Sequence, residues 1–292
     1  MQFSIITPSF RASEWLKLCI PSVADQGVEL EHIVQDSASD DGTLGWLVGD
    51  GRVKAFIEKD RGMYDAVNRG LRKAKGEILA YINCDEQYLP GALQSVWNYF
   101  QENPGVDLVF TDTIVVNPDG GFNCFRKAQI PWEWHARVVV LCTLTCSMFF
   151  RRSLIDRYQL FFDDHYRDLG DVDWVIRAMR ERIGVRVFRR YTSIFTETGD
   201  NMNLKPNATR ERREFAAQAP FMVRKSGRLL HAAYQVSRFC QGCYFEKPLS
   251  YAIYTRNSPA RRMTFNVAKP KAFWNRVPLS ASSTPALNRV DL

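Results

Sequence analysis

Along the first 110 residues, two kinds of apolar pattern take turns. Residues 3–10, FSIITPSF, are apolar nearly without a break until Pro8, as in a strand buried on both faces. SEWLKLCIPSVADQG follows, with Leu16, Cys19, Ile20 and Val23 at helical spacing and Ser13 placed to cap it. LEHIVQD at 30–36 predicts a second strand ending in Asp36, and the SASDDGT after it reads as a turn-rich loop. VKAFIEKD at 53–60 predicts a third strand. YDAVNRGLRKAKG at 64–76 predicts a helix with Ala66, Val67 and Leu71 on one side and Gly76 as its stop. EILAYIN at 77–83 is a fourth strand, PGALQSVWNYFQENPG at 90–105 a helix, and VDLVFTDTIVV at 106–116 a fifth strand.

Such alternation argues for an α/β fold: a parallel sheet with helices on both faces. In sheets of that kind, ligands sit beyond the carboxyl ends of the strands. Thr7, Ser9, Asp36, Asp60, Asn83 and Asp85 are the polar residues at those ends. After residue 117 the rhythm changes. An aromatic-rich stretch around Trp132 and Trp134 leads to TCSMFFRRSLIDRY, an extended piece running into a helix. DLGDVDWVIRAMRERIG is an amphipathic helix opening with three acids, and VRVFRRYTSIFTETGDNMN gives one or two strands and a polar loop. Residues 207–250 are mostly helical in pattern. From about 255 onward Ser, Pro, Asn and Arg accumulate, and order is expected to fall.

Composition sharpens this picture at three points. A chain of 292 residues with 46% hydrophobic content buries a large core, and no apolar run reaches the length of a membrane span. The start of the chain lacks a signal-peptide pattern, and seven scattered cysteines suit a reducing cytoplasm, so a cytoplasmic location is expected. The net charge of +7 is uneven: residues 221–292 hold 12 Lys and Arg against 2 acids (+10), leaving 39 − 12 = 27 bases against 32 − 2 = 30 acids (−3) elsewhere. A basic tail suits an anionic partner such as a membrane face, or a solvated tail. Nucleic acid is not expected as a partner, since no nucleic-acid-binding module is present.

Asn83-Cys84-Asp85-Glu86, at the end of the fourth strand, is the sharpest chemical signal. An Asn/Asp-x-Asp cluster of hard oxygens suits Mg²⁺ or Mn²⁺, bound through one or two carboxylates together with substrate phosphates. Neither a G-x-x-x-x-G-K-[ST] loop nor a G-x-G-x-x-G after the first strand is present, so phosphate binding falls to a metal. The alternative for NCDE is a helix cap before Pro90.

Three ordered blocks, SIITPSFRASEWLKLCIPSV, HIVQDSASDDGT and EKDRGMYDAVNRGLRKAKGEILAYINCDE, resemble the donor half of family 2 glycosyltransferases. In the third block Asp60, Gly62, Tyr64, Asp65, Ala66, Asn68, Gly70, Ala74, Gly76 and Glu77 fall on the family spacing. The likeness covers about residues 1–200. It implies a GT-A type, Rossmann-like mixed sheet with flanking helices over residues 1–220, with a donor half to about 115 and an acceptor half from about 116. A basic helical extension, 221–292, would follow.

The resemblance also implies roles. Thr7, Pro8 and Ser9 would contact the nucleoside, Asp36 its base or ribose, and Asp60, Arg61 and Gly62 would border the nucleotide. Asp85, with Asn83 and Glu86, would hold a divalent cation (Mn²⁺ or Mg²⁺) and the donor diphosphate. Asn83 stands where many members have an Asp, which removes one charge. Asp171, with Arg177 six residues on, would be the general base, and Asp173 the second choice. The implied activity is inverting transfer of a sugar from a nucleotide-diphosphate sugar to a hydroxyl of a glycan or lipid-linked acceptor in polysaccharide biosynthesis. A non-catalytic nucleotide-sugar-binding protein on the same fold is the alternative.

Weaker candidates remain. Trp132 and Trp134 suit stacking on an acceptor sugar, Cys146 and Ser147 an acceptor-side wall, and Asp200 and Asn201 a loop over the donor. His32, His165 and His231 read as structural. Cys240-x-x-Cys243 lacks a second pair at zinc spacing, and its aromatic-basic surroundings suit peripheral attachment at the inner face of a membrane.

Overall fold

The computed structural model describes residues 1–199 and 206–275. The chain forms β1 (Phe3–Ser9), α1 (Ser13–Ala24), β2 (Leu30–Asp36), a short α2 (Leu44–Leu47), β3 (Lys54–Ile57), α3 (Met63–Lys73) and β4 (Ile78–Tyr81). A two-residue β5 (Gln87–Tyr88), α4 (Ala92–Glu102), β6 (Leu108–Val116), β7 (Phe122–Arg126), α5 (Glu133–Val138), β8 (Met148–Arg151) and α6 (Ser153–Tyr158) come next. Then come α7 (Gly170–Arg180), β9 (Val185–Thr196), α8 (Pro206–Ala217), α9 (Phe221–Lys225), α10 (Gly227–Cys240), β10 (Leu249–Thr255) and β11 (Ser258–Val267).

The main sheet runs β3-β2-β1-β4-β8-β6-β9-β5, with β7 also on β6. β1 is parallel to β2 and to β4, as the alternation requires. The fifth predicted strand, β6, does not lie beside β4. β8 lies between them, antiparallel to both, which makes the sheet mixed. No period in the sequence signals that insertion, because β8 is only four residues long and comes from the aromatic-rich half.

The central strands are buried on both faces, with period-two alternation between two cores. Ile6, Leu79 and Tyr81 face α3, α7 and the Phe110, Phe150 and Trp174 rings. Phe3, Ile5, Ile78 and Ala80 face α1 and α4. Each fully buried large side chain of this kind contributes about 1.5–3 kcal/mol.

Two local expectations change. Ser13 is not the cap of α1 but its first helical residue. Its N–H donates to Asp41 Oδ2 at 3.0 Å and its hydroxyl accepts from Trp46 Nε1 at 2.9 Å, so the loop after β2 caps the helix. α3 ends at Lys73 rather than at Gly76. Gly76 is there because the chain presses on β1, where a Cβ would lie 2.3 Å from the backbone of Phe3 and Ser4.

The basic extension is helical only as far as Cys240. β10 and β11 then form an antiparallel hairpin, whose second strand lies in the region where order was expected to fall. Tyr251 and Ile253 seat that hairpin against Ile114, Val116 and Ile194 of the main sheet. Gln87 exchanges two hydrogen bonds of 2.9 Å with the Tyr254 backbone, and Arg262 clamps Asp25 with two contacts of 2.7 Å. Among the described residues no helix is long and apolar enough to cross a membrane.

Candidate functional site

A cleft of about 2030 Å³ opens beyond the ends of β1 and β4. Pro8, Asn83, Cys84, Asp85 and Glu86 line one side, and Tyr64, Asp168 and Asp171 another. The parallel pairing of β1 with β4 and the start of α7 thus bring the two acid clusters found in the sequence into one cavity.

At the ends of β1 and β2 the side chains expected at the nucleoside make contacts within the fold. Thr7 is fully buried, and its hydroxyl hydrogen-bonds the His32 imidazole at 2.9 Å, away from the cleft. Burial holds His32 neutral, with its pKa pushed down to about 3. Asp36 is also fully buried, and its oxygens accept from Ser9 Oγ (2.7 Å), Ser39 N (2.7 Å) and Ser39 Oγ (2.9 Å). These bonds tie the end of β1 to the loop after β2. Of Thr7, Pro8 and Ser9, only Pro8 lines the cleft, and its carbonyl accepts a hydrogen bond from the Cys84 thiol at 3.3 Å.

Asp60, Arg61 and Gly62 form the turn into α3 and do not line the cleft. Asp60 accepts the Gly62 N–H at 2.9 Å, which fixes the turn, and burial raises its pKa. Arg61 is exposed and pairs with Asp164.

The loop after β4 is compact. The Asn83 N–H donates to Glu86 Oε2 at 2.7 Å, and Glu86 is 1% exposed. Burial pushes the carboxyls of Asp85 and Glu86 up, and each is raised further by a neighbouring negative charge, Glu197 for Asp85 and Asp85 for Glu86. Asp85 is half-buried and lines the cleft, and so does the more deeply buried Glu86, whose Oε2 alone is taken up by the loop backbone. Among the described residues no group of three or more His, Cys, Asp or Glu converges as a metal cluster. Asn83, Asp85 and Glu86 line the cleft side by side, and hard oxygen donors of this kind are what Mg²⁺ or Mn²⁺ takes alongside phosphate.

Across the cleft, Asp171 sits in the first turn of α7. Its Oδ1 accepts from the Val172 N–H at 2.9 Å and from the Tyr64 hydroxyl at 3.4 Å. Burial pushes its pKa up to about 6, against the pull of those two donors. The helix is held in place by Trp174, fully buried, whose indole N–H donates to Leu160 O at 2.6 Å. Gly170 lets the Tyr64 ring approach, since a Cβ there would lie 2.7 Å from the ring. Arg177 pairs with Asp173 at 2.6 Å, not with Asp171, and Asp173 does not line the cleft. Asp168, the first acid of the same stretch, does line it.

Other cleft walls escaped the sequence reading. Arg256 lies over the Trp15 ring at 4.3 Å, and Arg126 over Trp274 at 5.7 Å, while the Trp274 N–H donates to Glu197 at 2.8 Å. These pairs join residues far apart in the chain, and no local pattern carries them. Residues 142–145 form the wall where Cys146 and Ser147 were expected. Those two are buried behind it, 0% and 1% exposed. Trp132 and Trp134 do not line the cleft. Trp132 packs edge-on against Tyr234 at 5.3 Å, and His135, stacked on Tyr234 at 4.0 Å, bonds His231 at 3.0 Å, which locks α5 to α10. Asp200 and Asn201 lie outside the described residues. Cys240 and Cys243 are free thiols, one exposed and one buried.

The profile of glycosyl transferase family 2 matches residues 4–158. The chain is 28% identical over 247 residues to a PGL/p-HBAD biosynthesis glycosyltransferase of Mycobacterium bovis, covering 78% of this chain and 88% of that one. Its fold is similar to that of S. aureus TarS 1-349, solved in complex with UDP-GlcNAc, with a TM-score of 0.59 at 16% identity over 82% of this chain and 76% of that one. It is likewise similar to the mannosyltransferase PcManGT of Pyrobaculum calidifontis, solved with GDP-Man and Mn²⁺, with a TM-score of 0.53 at 18% identity over 74% and 63% of the two chains. With over half of its length matched by the family profile and its sheet curled as in GT-A proteins, the chain belongs to glycosyl transferase family 2 and is a glycosyltransferase of glycan biosynthesis.

Proposed function

We propose that this glycosyltransferase moves a sugar, with inversion, from a nucleotide-diphosphate sugar to a hydroxyl of a glycan or lipid-linked acceptor in polysaccharide biosynthesis. One observation carries the reading: Asp85 and Asp171 face one cleft from two different elements, each half-buried and each pushed up by burial. Asp171 is assigned as the base. The Tyr64 hydroxyl and the Val172 N–H both engage Oδ1, which orients the carboxylate and leaves Oδ2 for the acceptor proton. A carboxyl with pKa about 6 is a stronger base than an exposed Asp and is still mostly ionised at neutral pH. As the acceptor oxygen bonds the anomeric carbon, the bond from that carbon to the diphosphate breaks on the opposite face, and the electron pair leaves with the diphosphate.

Asp85 and the Asn83 carboxamide are assigned to a divalent cation, Mn²⁺ or Mg²⁺, which when bound offsets the charge of the leaving diphosphate. Glu86 is assigned to holding the loop. The complexes of similar folds with UDP-GlcNAc and with GDP-Man and Mn²⁺ support this class of donor and ion. Asp173, paired with Arg177, is assigned a structural part, and acceptor recognition is assigned to Arg126 and residues 142–145. Both site acids are in place, which argues against a purely binding role.

Thermal shifts with UDP, GDP, dTDP and CDP, each with and without Mn²⁺, test the donor site. A nucleotide at ~100 times its dissociation constant adds about 2.7 kcal/mol, roughly a few degrees here. A Mn²⁺-dependent rise with one nucleotide is expected. No rise with any of them would overturn the assignment of the site.

A further inference from the structure

Helix α10 is inside out. Its inward face is polar: Tyr234 and Arg238 are buried, and His231, Gln235 and Ser237 are half-buried. Those groups are engaged, with Gln129 donating to Ser237 Oγ at 3.0 Å and Arg238 lying over the Tyr244 ring at 5.5 Å. The outward face at helical spacing is Leu229, Ala232, Ala233, Val236 and Phe239, all exposed, with Leu229 at 75% and Val236 at 62%. A helix facing only water shows the reverse pattern. Phe245, itself exposed, packs on Phe239 at 5.4 Å and extends the apolar surface beyond the helix. At the other end α9 adds Phe221 and Met222, 60% and 75% exposed. A contiguous apolar patch of this kind marks an interaction site.

Charge identifies the partner. Arg228 continues the outward row of α10 at its start, and the exposed Arg224 and Lys225 at the end of α9 lie over the Phe221 ring at 6.0 and 5.6 Å. Residues 221–275 hold ten Lys and Arg against one acid, Glu246. An exposed apolar face with three cations, Arg224, Lys225 and Arg228, at its α9 end, on a helix lying along the surface, matches an anionic bilayer interface. Position adds a purpose: Gln235, from the inward side of α10, and Tyr244, just beyond the helix, both line the cleft. A bilayer on the outer side is then about one helix diameter, ~10 Å, from the cleft.

We infer that the outward face of α9 and α10 is a docking surface for an anionic lipid bilayer, which brings a lipid-linked acceptor to the mouth of the cleft. The choice of acceptor rests on the transferase reading, but the docking itself does not.

Flotation of the full chain with vesicles of neutral lipid, and of neutral lipid with anionic phosphatidylglycerol, tests it. Anionic vesicles are expected to carry the protein at least ten times better than neutral ones. Val236→Glu with Phe239→Glu, and separately Lys225→Glu with Arg228→Glu, each reduce that binding at least tenfold. Both pairs are exposed, so melting temperature and the nucleotide-dependent thermal shift stay as in the parent. No preference for anionic vesicles, or equal binding by both double variants, overturns the inference. So does a dimer in sedimentation that the Val236→Glu, Phe239→Glu pair dissolves, because a second copy then occupies the face. Failure of nucleotide binding with vesicle binding intact counts against the transferase reading alone.

Discussion

Asp36 closes β2 and Asp85 lies in the loop just after β4, both at the same edge of the mixed sheet and both legible as acids at the ligand-binding edge, yet they make different contacts. Asp36 accepts three hydrogen bonds from Ser9 and Ser39 and has no exposed surface. Asp85 faces the cleft and pays for it with a carboxyl that burial pushes up, as does Asp171 across from it. An acid whose lone pairs are taken up by its own loops stabilises the fold. An acid with fewer such partners, whose pKa burial raises, costs stability and is a candidate for chemistry.

Breaking the cleft side should give the largest effects. Asp171→Asn removes the base and is expected to lower kcat by about 10²–10⁴-fold, and Asp85→Ala should lower transfer as severely. Both should leave the far-ultraviolet circular dichroism unchanged. Breaking the other side should unfold rather than inactivate: Asp36→Ala strands Ser9 and Ser39 and should cost about 1–3 kcal/mol, read as a lower urea midpoint. A variant as stable as the parent would remove the distinction.

Acidity sharpens the contrast further. Asp171 must be ionised to accept a proton, so kcat/KM should fall as pH drops through about 6 and level off above it. Its effect on stability runs the other way. The folded pKa lies above the ordinary value of 3.8, so the stability linked to its proton is present below 3.8 and lost as pH rises through about 6. Asp171→Asn should therefore melt no lower than the parent at pH 8, a result that differential scanning calorimetry reads directly. The smallest effect is expected at Asp173→Asn, which loses an ion pair to Arg177 and should change kcat less than about tenfold while costing roughly 0.2–1 kcal/mol.

Much of the donor half was legible because its signals are local. Apolar runs gave β1 and β4, and the amphipathic spacing of Val67 and Leu71 gave α3. Asp85 and Asp171 stood out as acids at the start of loops and helices. What was hidden depends on contacts between distant segments. Thr7 turns inward because His32, on the neighbouring strand, takes its hydroxyl, and Arg177 chooses Asp173 because four residues along a helix share a face and six do not. The β10–β11 hairpin was missed because its strand is written in Arg, Thr and Asn on an exposed outer face, which reads like a polar tail. Among the tail residues that reach the cleft, Arg256 and Trp274 carry no local pattern that points there.

The most direct test of the division of labour across the cleft is calorimetric titration of the nucleotide that the thermal shifts select, with Mn²⁺, into the parent, Asp85→Ala and Asp171→Asn. The account predicts that Asp85→Ala loses nucleotide binding while Asp171→Asn keeps it, although both have lost transfer. Binding retained by Asp85→Ala, or lost by Asp171→Asn, would contradict it.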